Sequence, residues 1–114
     1  MIRSILVLRA KVGRAQAVED FYRERGIIER SEGFPGCRGT MLLRSTDDGP
    51  ETHVVVADWD DADAYGRWVA DPWRDAVTVD LMELLDTASG PVVGKLYEAV
   101  AAPQPAPLIP EELS

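Results

Sequence analysis

The chain has a single cysteine, Cys37. No internal disulfide is possible, nothing points to an oxidising compartment, and a half-buried small side chain is the ordinary reading of that thiol. Histidine is equally scarce, His53 being the only one, and no cluster of His, Cys, Asp and Glu has metal-ligand spacing. A GxGxxG turn and a P-loop are both missing, so no phosphate cradle is expected. No apolar stretch approaches the roughly 18 residues of a spanning helix, and residues 1–12 lack the apolar run and small-residue cleavage site of a signal peptide. The expectation is a cytoplasmic protein with no membrane partner. Basic residues are few, 12 against 20 acidic, for a net charge of -8. A polyanion would be repelled, so nucleic acid is not an expected partner.

What is present is an ordinary globular composition: 114 residues, 46% hydrophobic and 28% charged, enough for one core and no second. Charge is uneven. Residues 1–45 carry nine Arg/Lys and five Asp/Glu (+4), and residues 46–114 carry three and fifteen (-12), an asymmetry that could favour self-association.

Ile2 to Ala10 reads IRSILVLRA, apolar in both alternating sets, as in a strand buried on two faces. From Arg14 to Ser31, Val18, Phe21, Tyr22, Arg25 and Ile28 recur at helical spacing, with Glu19 four residues before Arg23 as an exposed pair. Pro35 and Gly36 punctuate its end. Cys37–Ser45 and Glu51–Trp59 are strand-like runs around an Asp48-Gly49 hairpin signal. Alternation puts His53, Val55, Ala57 and Trp59 on one face of the second. Asp60 or Asp61 suits the N-cap of a short helix to Ala70, and Asp71-Pro72 starts another to about Leu85. After Ser89-Gly90-Pro91, Val92 to Val100 is read as a final strand.

The order is β-α-β-β-α-β, a ferredoxin-like α+β fold with a four-stranded antiparallel sheet and helices on one face. A first strand apolar on both sides needs cover on its other face, which predicts a homodimer joined sheet to sheet. Residues 1–100 form the expected domain. Residues 101–114, with four of the eight prolines, read as a proline-rich extended arm that crosses to the partner, or else as a free, disordered tail.

The segments ILVLRAKVGRAQAVEDFYRE, FPGCRGTMLLRSTDDG and HVVVADWDDADAYGRWVADPW resemble the antibiotic-biosynthesis monooxygenase domain, the dimeric α+β barrel family, over roughly residues 2–100. Within it the chain looks most like cofactor-independent enzymes that oxidise anthrone-type aromatic polyketides to quinones. The resemblance implies a substrate cavity lined by Trp59 and Tyr65, no cofactor, and an aromatic substrate with dioxygen. Two positions depart: Val55 stands where the family's asparagine is expected, and the arginine of the final helix is absent near Thr78-Val79, with Arg74 one turn earlier. Haem-degrading members need an axial histidine after the short helix, and residues 60–90 contain none.

Cofactor-free oxygenation needs an acidic, electron-rich substrate, a dry cavity, a proton acceptor and an oxyanion partner. The candidate catalytic residues are His53 as proton acceptor, Trp59 as a flat wall, Tyr65 as phenolic donor and Arg74 as the partner of an enolate or phenolate. Tyr22, Val55, Trp68 and Trp73 are the candidate substrate-binding residues, with Trp68 and Trp73 bracketing a mouth. Each has a plainer reading: a solvated histidine, core aromatics, an exposed first-turn arginine. The same cavity could instead fold a polyketide chain as a cyclase, or hold an intermediate without catalysis.

Overall fold

The computed structural model describes residues 1–47, 49, 51–88 and 90–101. Asp48, Pro50, Ser89 and the proline-rich arm from residue 102 lie outside them. The elements follow as β1 (Ile2–Arg9), α1 (Ala15–Arg25), α2 (Ile27–Glu32), β2 (Cys37–Arg44), β3 (Thr52–Trp59), α3 (Ala62–Val69), α4 (Pro72–Met82) and β4 (Lys95–Glu98). The sheet order is β2-β3-β1-β4, with every neighbouring pair antiparallel. This is the ferredoxin-like α+β arrangement, with the helices on one side of the sheet.

Two elements differ from their sequence reading. The helix expected over Arg14–Ser31 breaks at Gly26, which adopts φ 60° and ψ 38° and sends its N–H back to the carbonyls of Tyr22 and Arg23. That left-handed cap ends α1, and the chain turns directly into α2. The last strand is four residues long rather than nine. After α4 the chain pairs with the end of β1, Ala10 opposite Leu85. It then leaves the sheet and rejoins β1 at Lys95, opposite Ile5.

The caps read from sequence are in place. Asp61 Oδ1 accepts from the Ala64 N–H at 2.8 Å, Asp71 Oδ2 accepts from the Arg74 N–H at 3.2 Å, and Pro72 occupies the first turn of α4.

Period-2 alternation divides the sheet. Ser4, Leu6 and Leu8 pair with Ala57, Val55 and His53 beneath the helices. Leu8, Val18, Tyr22, Ile27, Val77, Leu81 and Leu85 form the main buried cluster there, and Ala57, Trp59, Ala64 and Trp68 form a second. The outer face carries Ile5 opposite Val56 and Val7 opposite Val54, with Met41 and Leu43 on β2. Val7 and Leu43 remain 43% and 42% exposed. On that face Arg3 grips the buried Asp58 with two hydrogen bonds, Nε to Oδ1 at 2.7 Å and Nη2 to Oδ2 at 3.0 Å, a bidentate charge-assisted pair. Among the described residues no helix is long and apolar enough to cross a membrane.

Candidate active site

The second cluster forms one end of a cavity between sheet and helices. Trp59, at the end of β3, is wholly buried, and its indole N–H donates to Ser4 Oγ at 3.0 Å. Aromatic rings pack around it: Tyr65 from α3 meets it edge-on at 5.6 Å and Trp68 stacks on it at 6.4 Å. Trp73, half-buried at the start of α4, tilts against Trp68 at 6.3 Å and carries the Arg30 guanidinium 4.3 Å from its ring centre. Phe34 closes the far side, edge-on to both Trp59 and Trp68.

The enclosed volume is about 60 Å³, well under the roughly 300–1,000 Å³ of pockets that hold a drug-sized ligand. A ring system therefore enters only as the walls spread.

Most polar groups in this apolar cavity are already engaged. Ser4 Oγ accepts from Trp59. Ser31 Oγ lies 2.8 Å from both the Ile28 carbonyl and Thr40 Oγ1. Thr78 Oγ1 donates to the Arg74 carbonyl at 2.8 Å. What remains is the Arg74 guanidinium and the hydroxyls of Tyr22 and Tyr65, none of which has a side-chain hydrogen-bond or ion-pair partner among the described residues. Burial pushes both phenols above the usual tyrosine range, and the Arg74 charge pulls the other way. Both stay protonated near neutrality and can donate. An unpaired cation flanked by two phenol donors suits a ligand oxyanion.

Seven of the eight residues singled out from sequence line this cavity: Tyr22, Val55, Trp59, Tyr65, Trp68, Trp73 and Arg74. Trp68 is core as well as wall, and Trp73 is only half-buried. Val55 offers methyl groups where an amide would offer hydrogen bonds. Among the described residues no group of three or more His, Cys, Asp and Glu side chains could hold a metal ion.

His53 is the exception. It lies on the sheet face expected of it and is wholly buried, but it borders a separate cleft beside α1. Its Nε2 is 2.7 Å from Glu19 Oε2, and Arg44 grips the same carboxylate from Nε and Nη2 at 2.6 and 2.5 Å. Glu19 therefore does not pair with Arg23, as its spacing suggested; Arg23 pairs with Asp20 at 3.0 Å. Arg44, and secondarily His53, holds the Glu19 carboxyl down to about 2.

Residues 1–77 match the family model described as antibiotic biosynthesis monooxygenase. The chain belongs to that family. Solved structures agree in fold. SnoaB, a cofactor-independent oxygenase from Streptomyces nogalater crystallised as a point variant, superposes with a TM-score of 0.72 at 21% identity, over 90% of this chain and 97% of its own. Proteins of Deinococcus radiodurans and Nitrosomonas europaea, both named for antibiotic biosynthesis monooxygenases, superpose at 0.75 and 0.73 with 19% and 18% identity. Those two matches cover 91% and 89% of this chain, and 97% and 100% of theirs. No curated protein matches the sequence.

Proposed function

We propose that this chain is a cytoplasmic, homodimeric, cofactor-independent monooxygenase acting on an anthrone-like or phenolic aromatic polyketide intermediate in antibiotic biosynthesis. The observation that carries the reading is the uncommitted trio of Arg74, Tyr22 and Tyr65 inside an aromatic box. Such a box takes a flat ring system, and such a trio takes the negative oxygen that the ring acquires on losing a proton. The likeness to SnoaB supports the oxygenase side of the reading.

The chemistry balances without a helper. The substrate methylene loses two hydrogens, one oxygen of dioxygen becomes the new carbonyl, and the other leaves with those hydrogens as water. The protein's part is to bind the substrate as its anion, which is the form that gives up an electron to dioxygen, and to keep water away from the reacting carbon. Arg74 stabilises the anion; Tyr65 and Tyr22 donate to its oxygen; Trp59 and Trp68 hold the ring plane. His53, closed off against Glu19, has no part in it.

The apolar outer face of the sheet supports the homodimer. Val7 and Leu43 are exposed there beside Ile5, Met41, Val54 and Val56, a patch of the kind that a second copy covers.

The test is oxygen uptake with 1,8-dihydroxyanthrone in the absence of added flavin or metal, with the product mass read in parallel. Gain of one oxygen and loss of two hydrogens is expected. Loss of water without oxygen uptake from an open polyketide chain would make the protein a cyclase, and binding with neither change would leave it an accessory dimer.

A further inference from the structure

Gly94 immediately precedes β4, the strand that pairs with β1 over Ile2–Ile5 and sets Leu96 opposite Ser4. A Cβ placed there would fall 1.9 Å from the Tyr65 hydroxyl oxygen and 3.0 Å from its Cζ. The phenol ring is thus drawn back onto the strand, into space that exists because residue 94 carries no side chain. Gly94 is not among the glycines at positive φ, so its backbone would accept an alanine. The obstacle is only the tip of a side chain that can swing.

We propose that Gly94 is a specificity-determining residue: it gives Tyr65 its most retracted position and thereby sets how large a ring system the cavity admits. The inference rests on the reading of this cavity as the substrate site. Tyr65 shares the cavity lining with Trp59, whose ring it meets edge-on, and with Arg74, whose charge reaches the same phenol. A methyl group at 94 pushes the hydroxyl forward over that space. The wall closest to the oxyanion trio then advances, and large ligands lose before small ones.

The experiment compares the unaltered protein with Gly94→Ala, Tyr65→Phe and the double variant. Quenching of tryptophan fluorescence reports binding of 1,8-dihydroxyanthraquinone, a tricyclic probe, and of phenol, a single ring. One methyl group against a close-fitting ligand is worth about tenfold or more in discrimination. Gly94→Ala is expected to weaken the tricyclic probe by about that factor and phenol by less than about twofold, with the thermal midpoint nearly unchanged. In the Tyr65→Phe background the oxygen at 1.9 Å is gone, and the same alanine should cost clearly less.

Equal losses for both probes, a loss unaltered by Tyr65→Phe, or a midpoint that falls with the affinity would each overturn the proposal. Failure of either probe to bind the unaltered protein would sink the substrate-site reading and the selectivity claim with it. The seat itself is judged separately, by tyrosine absorbance titration: Gly94→Ala must shift one phenol ionisation, and that shift must vanish when Tyr65 is phenylalanine.

Discussion

The two ends of the helix-facing side of the sheet use the same kinds of side chain and settle them in opposite ways. Near the start of β3, an imidazole, a carboxylate and a guanidinium close on one another: His53 to Glu19, and Glu19 to Arg44. Among the described residues, only His53 Nδ1 is left without a partner there. Near its end, a guanidinium and two phenol hydroxyls line a cavity among aromatic rings and form no side-chain hydrogen bond or ion pair among the described residues. The closed network holds its members to one another, whereas the open one leaves donors that a ligand oxygen can engage. On the proposed reading, that difference sets a structural site apart from a binding site without reference to residue type. Sequence offered His53 as a candidate proton acceptor because histidine titrates near neutrality; in the structure it is buried against Glu19 and borders a different cleft from the aromatic cavity.

Arg74→Gln is the strongest way to break this comparison. Removing one charged donor aimed at a developing oxyanion costs about 2.7–4 kcal/mol of transition-state stabilisation, roughly 10²–10³ in turnover. The thermal midpoint should stay put, since the Arg74 guanidinium has no hydrogen-bond or ion-pair partner to lose among the described residues. A midpoint that falls in step with turnover would place Arg74 with the scaffold.

Gly36→Ala tests the seam that holds the open end together. Gly36 has φ 90°, and a Cβ there would sit 2.5 Å from the Ala64 Cβ of α3, the helix that presents Tyr65. Strained backbone and an overpacked contact each cost about 1–3 kcal/mol, and neither neighbour can swing aside as Tyr65 can at Gly94. Urea unfolding should show a loss of about 3 kcal/mol. A loss under 1 kcal/mol would mean that the α3–β2 seam yields easily.

Much of the fold was legible from local signals. Strand alternation, a cap at Asp60 or Asp61, of which Asp61 is the one used, and the Asp71-Pro72 start all depend on neighbours within a turn or two, whereas Trp59 and Tyr65 came as a pair only from the family resemblance. What escaped depends on distant partners. Glu19 had a plausible cation four residues on, but its actual partner, Arg44, lies 25 residues away across the sheet. Ser4 meets the Trp59 indole across 55 residues. Gly26 sits in an unbroken helical period, and a glycine in such a run costs only about 1 kcal/mol against alanine. Periodicity therefore does not reveal that it turns left-handed and ends α1. The early departure of the last strand is likewise invisible, because apolar residues from Val92 onward satisfy strand alternation and cavity lining equally well.

Glu19→Gln probes the closed end and should give the mirror image of Arg74→Gln. It removes a carboxylate that two partners grip, so stability should fall by about 1–3 kcal/mol while turnover is unchanged. The pH dependence carries a sign. The Glu19 carboxyl is depressed to about 2 from its ordinary 4.5 in the folded chain. Its contribution is therefore fully present above about 4.5, and is lost as the pH falls from there through about 2. Thermal midpoints measured down this range should drop more steeply for the unaltered protein than for Glu19→Gln. Parallel curves would show that the triad stores no pH-dependent stability.

Arg30→Met is the smallest of these effects and bears on the open end alone. Arg30 is exposed on α2, and its only described engagement is the Trp73 ring at 4.3 Å. An exposed cation–π contact is worth about 0.5–1 kcal/mol, so the thermal midpoint should shift by a few degrees at most. Its consequence is for the cavity wall. The cavity of about 60 Å³ must widen to take a ring system, and Trp73 is one of its half-buried walls. With the guanidinium gone, the ring is freer, and the anthraquinone probe should associate and dissociate faster with little change in affinity, as stopped-flow quenching would show. Unchanged rates would place the moving wall elsewhere, at Tyr65 or at Val92. A large loss of affinity would instead mean that Arg30 touches the ligand, and the closed and open ends would no longer divide as cleanly as their hydrogen bonds suggest.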